Sequence, residues 1–286
     1  MTTHTRTPAP TARTPYTLAR NTAESTRLNL QHTIYVQNAG YLLHPSLAPT
    51  LPPQARIAEI GTGTGIWLRA LALQSAPQNP AWTYTGFDIS AAQSPPPVPN
   101  NNPCHFALLD ILAPVPAHLI ARFDLIHLRL LICGLTGPDW ALAASNHEFD
   151  HRARLLPSPP TLSTPTEATT QLIALAITGQ TREHKFLANV PALPHTLRAA
   201  GFTAVTHETF PSDRHGGAAM RAKCTDVMVG ATSMLAEYAV GKYPDLGVTG
   251  EEFAALVARA RGEVEGGKAF YRWDMHVVTG RKALLS

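Results

Sequence analysis

The sequence predicts an α/β fold in which helices cover both faces of a mostly parallel sheet. The short apolar segment Ile57 to Ile60 has strand character, a glycine-rich turn follows from Gly61 to Gly65, and an apolar helical pattern begins at Ile66. Two later segments of strand character each end in an acid, at Asp88 and at Asp110. Strands that alternate with helices and end in polar residues are typical of a Rossmann-like sheet.

Length, charge and cysteine content restrict the class of protein. A chain of 286 residues with 44% hydrophobic residues buries a sizeable core, and one domain with helical additions fits it better than two. The net charge of +3 is spread along the chain, so we expect no nucleic-acid partner, and no apolar run approaches the ~20 residues of a membrane span. Cys104, Cys133 and Cys224 lack metal-ligand spacing, which predicts reduced, buried thiols in a cytoplasmic protein and no metal site.

The chain is expected to divide into a tail and one domain. Residues 1–23 are rich in Thr and Pro and carry three arginines but no acid, which predicts a disordered tail. Residues 24–286 are predicted to form a single domain. It comprises an N-terminal helical cap (24–50), a ligand-binding half (51–135) and a substrate-side half (136–286).

A helix is predicted ahead of the glycine turn. Apolar residues recur at helical spacing between Asn21 and Gly40. Most of this helix is expected to pack against the sheet, but its polar residues Gln31 and His32 are candidates to close over a ligand.

The glycine turn has the composition of a ligand cradle. Glycine lets backbone approach a ligand, and the free N–H groups at the start of the following helix attract negative charge. The spacing G-x-G-x-G places Ile66 where the dinucleotide fingerprint has its third glycine, and no Gly-Lys-Ser/Thr follows as in a P-loop. Glu59, just before the turn, would repel a pyrophosphate but suits a ligand that carries an amino group.

The following strands are predicted to bring polar side chains to the same edge of the sheet. Asp88 ends the second strand, where an acid can accept hydrogen bonds from both hydroxyl groups of a ribose. Asp110 ends the third strand, and residues 122–131 read as the fourth. Within the fourth strand His127 and Arg129 share one face. His127 is equally well a buried core histidine or a ligand contact at the carboxyl end of its strand.

The order of these motifs resembles a known family. Glu59, one apolar residue and then G-x-G-x-G resemble the first motif of class I methyltransferases that use S-adenosyl-L-methionine (SAM). From Arg27 to the carboxyl end, the chain resembles the fungal secondary-metabolism branch, which includes gliotoxin-type thiol and amide methyltransferases and a global regulator of secondary metabolism. The motifs that carry this resemblance are Arg27-Leu28 with Gln31-His32, Gly40 to Pro45, Glu59 to Gly65, Gly86-Phe87-Asp88, Phe123 to Arg129, Gly134-Leu135 with Asp139-Trp140, Pro157 to Pro160, and Arg272 to Lys282.

The resemblance implies a cofactor, a reaction and a set of site residues. SAM would be the cofactor, the carboxylate of Asp110 would accept a hydrogen bond from its adenine amino group, and Ile89 and Ile111 would sandwich the ring. The acceptor would be an O, N or S atom of a small secondary metabolite, and His127 or His44 would act as general base where that atom must lose a proton. The implied cofactor-binding residues are Gln31, Glu59, Gly61, Thr62, Gly63, Gly65, Asp88, Ile89, Asp110, Ile111, His127 and Arg129. Two alternatives stay open: a fold that binds SAM without methylating, pericyclase-like or regulatory, and an impaired truncated form.

The chain departs from this family after Asn146. Relatives continue the helix, turn at a Pro-Gly-Gly and form a fifth strand, whereas about fifteen residues, or a few helical turns and a strand, are missing here. The fifth strand is therefore expected to be truncated. Either residues 151–156 substitute for it or the fourth strand keeps an exposed edge, and an error in the gene model would also explain the loss.

Further elements are predicted downstream. Helices are expected at residues 167–178, 193–200 and 218–240, with a strand at 202–209. Thr249 and Glu252 have the spacing of a capping box that opens a helix through Arg261, and residues 271–279 read as the last strand.

Overall fold

A computed structural model describes residues 16–95, 104–145, 151–157, 161–162, 167–185, 189–212, 214–215, 217–267 and 270–282. The α-helices are α1 (Thr22–Ala39), α2 (Ile66–Ser75), α3 (Gly137–Ser145), α4 (Glu167–Arg182), α5 (Asn189–Ala199), α6 (Gly217–Lys242) and α7 (Gly250–Glu265). The strands are β1 (Arg56–Ile60), β2 (Thr83–Asp88), β3 (Cys104–Leu108), β4 (Leu125–Leu128), β5 (His151–Pro157), β6 (Thr161–Leu162), β7 (Phe202–Pro211), β8 (Tyr271–Arg272) and β9 (Asp274–Lys282).

Seven of these strands form one sheet in the order β3-β2-β1-β4-β5-β9-β7. The pairs from β3 to β5 are parallel, and β9 runs antiparallel to both of its neighbours. The predicted Rossmann-like α/β fold is therefore confirmed. The strand order reverses between β1 and β4, and ligands bind in such sheets at the carboxyl ends of the strands beside this reversal.

Of the two outcomes expected for the shortened fifth-strand region, substitution by residues 151–156 is the one that the structure shows. β5 lies between β4 and β9, so residues 151–156 take the place of the missing segment and the sheet has no gap at this position. Ile126 pairs with His151, and Leu128 pairs with Ala153. Every residue of β4 is buried, and buried backbone groups without partners are costly, so this position requires a paired strand. Only residues 146–150 separate β5 from α3.

Most predicted helices and strands are observed with shifted ends. The Asn21 side chain caps α1 by accepting a hydrogen bond from Glu24 N at 2.9 Å, and Gly40 ends this helix at φ 80°. The capping box between Thr249 and Glu252 is confirmed. Strand β4 is shorter than predicted because Leu130 leaves the sheet in a left-handed conformation, at φ 61°. The last strand is divided into β8 and β9.

Residues at the start of the described chain differ from the predicted tail. Thr17 is buried and Tyr16 packs against the core cluster that includes Trp140, although composition assigned both residues to a disordered segment. Residues 1–15 lie outside the described residues.

Other predictions concern cysteines, membrane spans and metals. Cys104, Cys133 and Cys224 are buried reduced thiols, as predicted. In the described part of the chain, no helix is long and apolar enough to cross a membrane. Within the same residues, no group of three or more His, Cys, Asp or Glu side chains is placed to hold a metal ion.

Candidate cofactor and acceptor site

A cavity of about 830 Å³ lies at the carboxyl ends of β1, β2, β3 and β4. This volume is within the range of small-molecule sites, toward its upper end. Nine of the predicted site residues line it: Glu59, Gly61, Thr62, Gly63, Asp88, Ile89, Asp110, Ile111 and Arg129.

The turn between β1 and α2 requires its glycines. Gly61, Gly63 and Gly65 have φ values of 67°, 53° and 66°, a region in which other residues are strained. A Cβ atom on Gly65 would lie 2.5 Å from Phe106, and one on Gly61 would collide with Leu131. A Cβ on Gly63 would meet only Leu28, at 3.8 Å. The first and third glycines therefore serve close packing, and the middle one keeps the cavity open.

Glu59 lies beneath this turn, and the start of α2 binds it. Its carboxylate accepts hydrogen bonds from Thr62 Oγ1 at 2.8 Å and from the backbone N–H of Leu68 in the first turn of α2. The free N–H groups of α2 were expected to face a ligand, but one of them is occupied by a side chain of the protein.

Burial controls the charge of Glu59. Burial raises the pKa of its carboxyl group to about 7, although Arg129 and the hydrogen bond from Thr62 oppose the rise. The Oε1 atom lies 3.3 Å from Nδ1 of His127. The protonation state of Glu59 near neutral pH is therefore sensitive to any charge that enters the cavity.

Two further carboxylates are positioned by backbone hydrogen bonds. Asp88 accepts one from Gly63 N at 2.9 Å and one from Ser90 N at 3.1 Å. Asp110 accepts one from Leu112 N at 2.9 Å. An ionised carboxylate has about four acceptor positions, so both side chains keep capacity for a ligand.

Helix α1 covers the cavity from the other side. Asn29 accepts a hydrogen bond from Thr64 Oγ1 at 2.8 Å, and Leu28 lines the cavity. His32 lies 2.9 Å from the guanidinium of Arg129, through its Nδ1 atom. Helix α1 is thereby joined both to the glycine turn and to the end of β4.

Comparison with known proteins assigns the family. Residues 34–207 match a family model described as a methyltransferase domain. The chain belongs to this methyltransferase family. The predicted resemblance to class I methyltransferases is confirmed, and the cofactor is SAM.

Curated relatives of this chain are fungal. Methyltransferase grgD of a Penicillium species is 39% identical over 136 residues, which cover 46% of each chain. N-methyltransferase sirN of Leptosphaeria maculans is 36% identical over 123 residues, covering 42% of this chain and 40% of the relative. The match thus spans less than half the length of these relatives. Among solved structures, a phosphoethanolamine N-methyltransferase of Haemonchus contortus is 12% identical, with a TM-score of 0.46, covering 91% of this chain and 58% of that one.

Five predicted residues do not line the cavity, and one of them, His32, contacts the cavity residue Arg129. His127 is 3% exposed and stacks on Trp67 with ring centroids 3.7 Å apart. His44 lies beside β7, where its Nε2 is 3.1 Å from Oε1 of Glu208. Gln31 is buried within α1, and Gly65 begins α2 behind the turn. The structure therefore does not bring either predicted general base to the site.

Several cavity residues were not identified from the sequence. They come from three separate segments of the methyltransferase: Tyr16 and Arg20, then Thr136 and Asp139, then Glu183 and His184. Asp139 accepts hydrogen bonds from Thr136 N at 2.9 Å and from Thr136 Oγ1 at 2.7 Å. For the last pair, the one local signal was the polar run from Arg182 to Lys185, a few residues after the helix predicted at 167–178.

Proposed function

We propose that this chain transfers the methyl group of SAM to an O, N or S atom of a small secondary metabolite. The observation that carries the proposal is the arrangement of Gly63, Asp88 and Asp110, which follow three adjacent parallel strands and line one cavity. The relatives' names support methyl transfer, and one of them is an N-methyltransferase. The partner is a small molecule, with neither nucleic acid nor membrane required, and a cytoplasmic location remains a prediction.

The cavity residues fit this cofactor. Asp88 would accept hydrogen bonds from the ribose hydroxyl groups, and Asp110 would accept one from the adenine amino group between Ile89 and Ile111. Glu59 would face the amino group of the methionine part, since it is the carboxylate at the end of β1. The open side of Gly63 leaves room for the ligand against the backbone.

Bound SAM supplies an activated methyl group, so positioning of the acceptor is the main task of the protein. Effective molarities for well-oriented groups reach about 10⁵ M or more. The acceptor would occupy the part of the cavity near Tyr16, Asp139 and His184, because these residues lie outside the predicted cofactor set. Those side chains would orient the acceptor and exclude water around it.

Two measurements on the purified full chain test the proposal. Calorimetry with S-adenosylhomocysteine measures binding, and labelled SAM measures methyl transfer to fungal metabolite extracts and to defined phenols, thiols and amines. Binding together with transfer is the expected result. Binding without transfer to any acceptor would favour the non-methylating alternative, and absence of binding would overturn the cofactor site itself.

A further inference from the structure

His184 occupies a backbone position where glycine is the usual residue. It follows α4 at φ 58°, in the left-handed region. His184 N donates to Thr181 O at 3.0 Å, and Lys185 N donates to Gln180 O at 2.9 Å. This pair of hydrogen bonds is the Schellman motif, whose left-handed residue is most often glycine. A histidine here costs conformational strain that glycine would avoid.

The residues on both sides of His184 are anchored in the protein. Glu183 is 1% exposed, and its Oε1 accepts hydrogen bonds from Tyr238, Lys242 and Tyr243 at the end of α6. Lys185 is also 1% exposed. Because its neighbours are fixed, the backbone of His184 is fixed as well, and its own exposed side chain lines the cavity.

The imidazole lines the cavity from a different element than the predicted cofactor residues do. Asp88 and Asp110 accept hydrogen bonds from backbone N–H groups at the ends of β2 and β3. His184 follows α4 instead, and it lines the cavity together with Asp139 and Thr136. Among the described residues that line this cavity, His184 is the one histidine. Left-handed residues other than glycine cluster at functional sites, and of the two that line this cavity, Leu130 and His184, only His184 has a side chain that can accept a proton.

We propose that His184 is the general base of the reaction, an assignment that rests on the proposed methyl transfer. The heteroatom of the acceptor forms a bond to the methyl carbon while the sulfonium–carbon bond breaks and its electron pair stays on sulfur. The heteroatom–hydrogen bond breaks, and its proton passes to a ring nitrogen of His184. The exposed side of the imidazole then releases the proton to water.

The left-handed backbone provides well-matched variants. His184→Gly removes the imidazole and relieves the strain, so its melting temperature should equal or exceed that of the wild type. His184→Asn keeps a polar side chain that tolerates this backbone but has no basic nitrogen. Both variants should bind S-adenosylhomocysteine within about twofold of the wild type, whereas methyl transfer to the phenols, thiols and amines should fall about 10²-fold or more. Added imidazole should restore transfer by His184→Gly and leave its melting temperature unchanged.

The outcomes separate this assignment from the proposed function. Wild-type transfer that persists undiminished in both variants, or a loss that imidazole does not restore, would overturn the role of His184 and leave the proposed function standing. A wild type that binds S-adenosylhomocysteine but methylates none of the acceptors would overturn both.

Discussion

The backbone N–H of Gly63 donates a hydrogen bond to Oδ2 of Asp88 at 2.9 Å. This contact joins the middle of the glycine turn after β1 to the end of β2. A second hydrogen bond, from Thr62 N to Phe87 O at 3.0 Å, reinforces the same connection. The carboxylate therefore has two functions in our proposal: it fixes the turn that leaves room for SAM, and it binds the ribose.

Replacing Asp88 should weaken cofactor binding. Asp88→Ala removes a charged hydrogen-bond acceptor and the tether to Gly63, so we expect a loss of about 1.5–3 kcal/mol, or about 10- to 150-fold in affinity. Titration calorimetry with S-adenosylhomocysteine measures the effect. Asp245→Ala, which removes an exposed ion pair with Arg182, is the control and should leave affinity unchanged. Equal affinities for Asp88→Ala and wild type would refute the ribose assignment.

A side chain at Gly63 should fill the cavity. Gly63→Val would add a branched side chain whose Cβ atom has only Leu28 within 4 Å, so its methyl groups extend into the cavity space, and the left-handed backbone adds strain of about 1–2 kcal/mol. Gly247→Val is the matched control, because Gly247 also has a left-handed φ, 66°, and a Cβ atom added there would meet nothing within 4 Å. We expect similar melting temperatures for the two variants and loss of S-adenosylhomocysteine binding in Gly63→Val alone. Retained affinity in a folded Gly63→Val protein would show that this turn is not the cradle.

Cofactor affinity should depend on pH through Glu59. The pKa of about 7 means that this carboxyl group is largely protonated below neutral pH, and an ammonium group beside it favours the ionised form. Affinity for S-adenosylhomocysteine should therefore rise between pH 5.5 and 7.5, by up to about tenfold per unit, with proton release on binding. Calorimetry in buffers of different ionisation enthalpy detects the proton, and Glu59→Gln should abolish both effects. A pH dependence that survives in Glu59→Gln would assign the titration to another group.

The same carboxyl group should lower stability as pH rises. The pKa of Glu59 is about 7 in the folded protein and 4.5 as the ordinary value, so the folded state holds a proton that the unfolded state releases. The contribution of Glu59 to the free energy of unfolding is therefore most favourable below pH 4.5. It falls as the pH rises toward 7, by about 3 kcal/mol in total. Urea unfolding at several pH values should show that the free energy of unfolding of Glu59→Gln rises relative to that of the wild type across this pH interval. A constant difference between the two proteins would contradict the raised pKa.

Strand β5 should be essential to the sheet. It pairs on both sides, with β4 and with β9, so Ala153→Pro removes an N–H group from an interior strand. We expect a loss of at least about 1–3 kcal/mol, measured by urea unfolding. Insertion of a relative's helix end, Pro-Gly-Gly turn and strand after Asn146 should not raise the melting temperature, because the edge of β4 is already paired. A neutral Ala153→Pro or a stabilising insertion would show that residues 151–157 do not substitute for the fifth strand.

The sequence alone determined which residues lie at the sheet edge where we propose that the cofactor binds. Gly61, Gly63 and Gly65 lie at positions that need a left-handed backbone, and Asp88 and Asp110 end parallel strands, so local spacing was enough to place them at one edge of the sheet. The ends of α1 and α7 were likewise encoded by short-range capping contacts at Asn21 and Thr249.

Only the tertiary structure decided which residues reach the other end of the cavity. His127 stacks on Trp67 of helix α2, and alternation along a strand does not show which residue covers each face. Tyr16, Asp139 and His184 are far apart in the chain, and they line one cavity because the N-terminal segment, α3 and the end of α4 all border it. The pairing of residues 151–157 with β4 is also a non-local contact. It is stabilised because β4 is buried, and the burial of a neighbouring strand cannot be predicted from the sequence of residues 151–157 themselves.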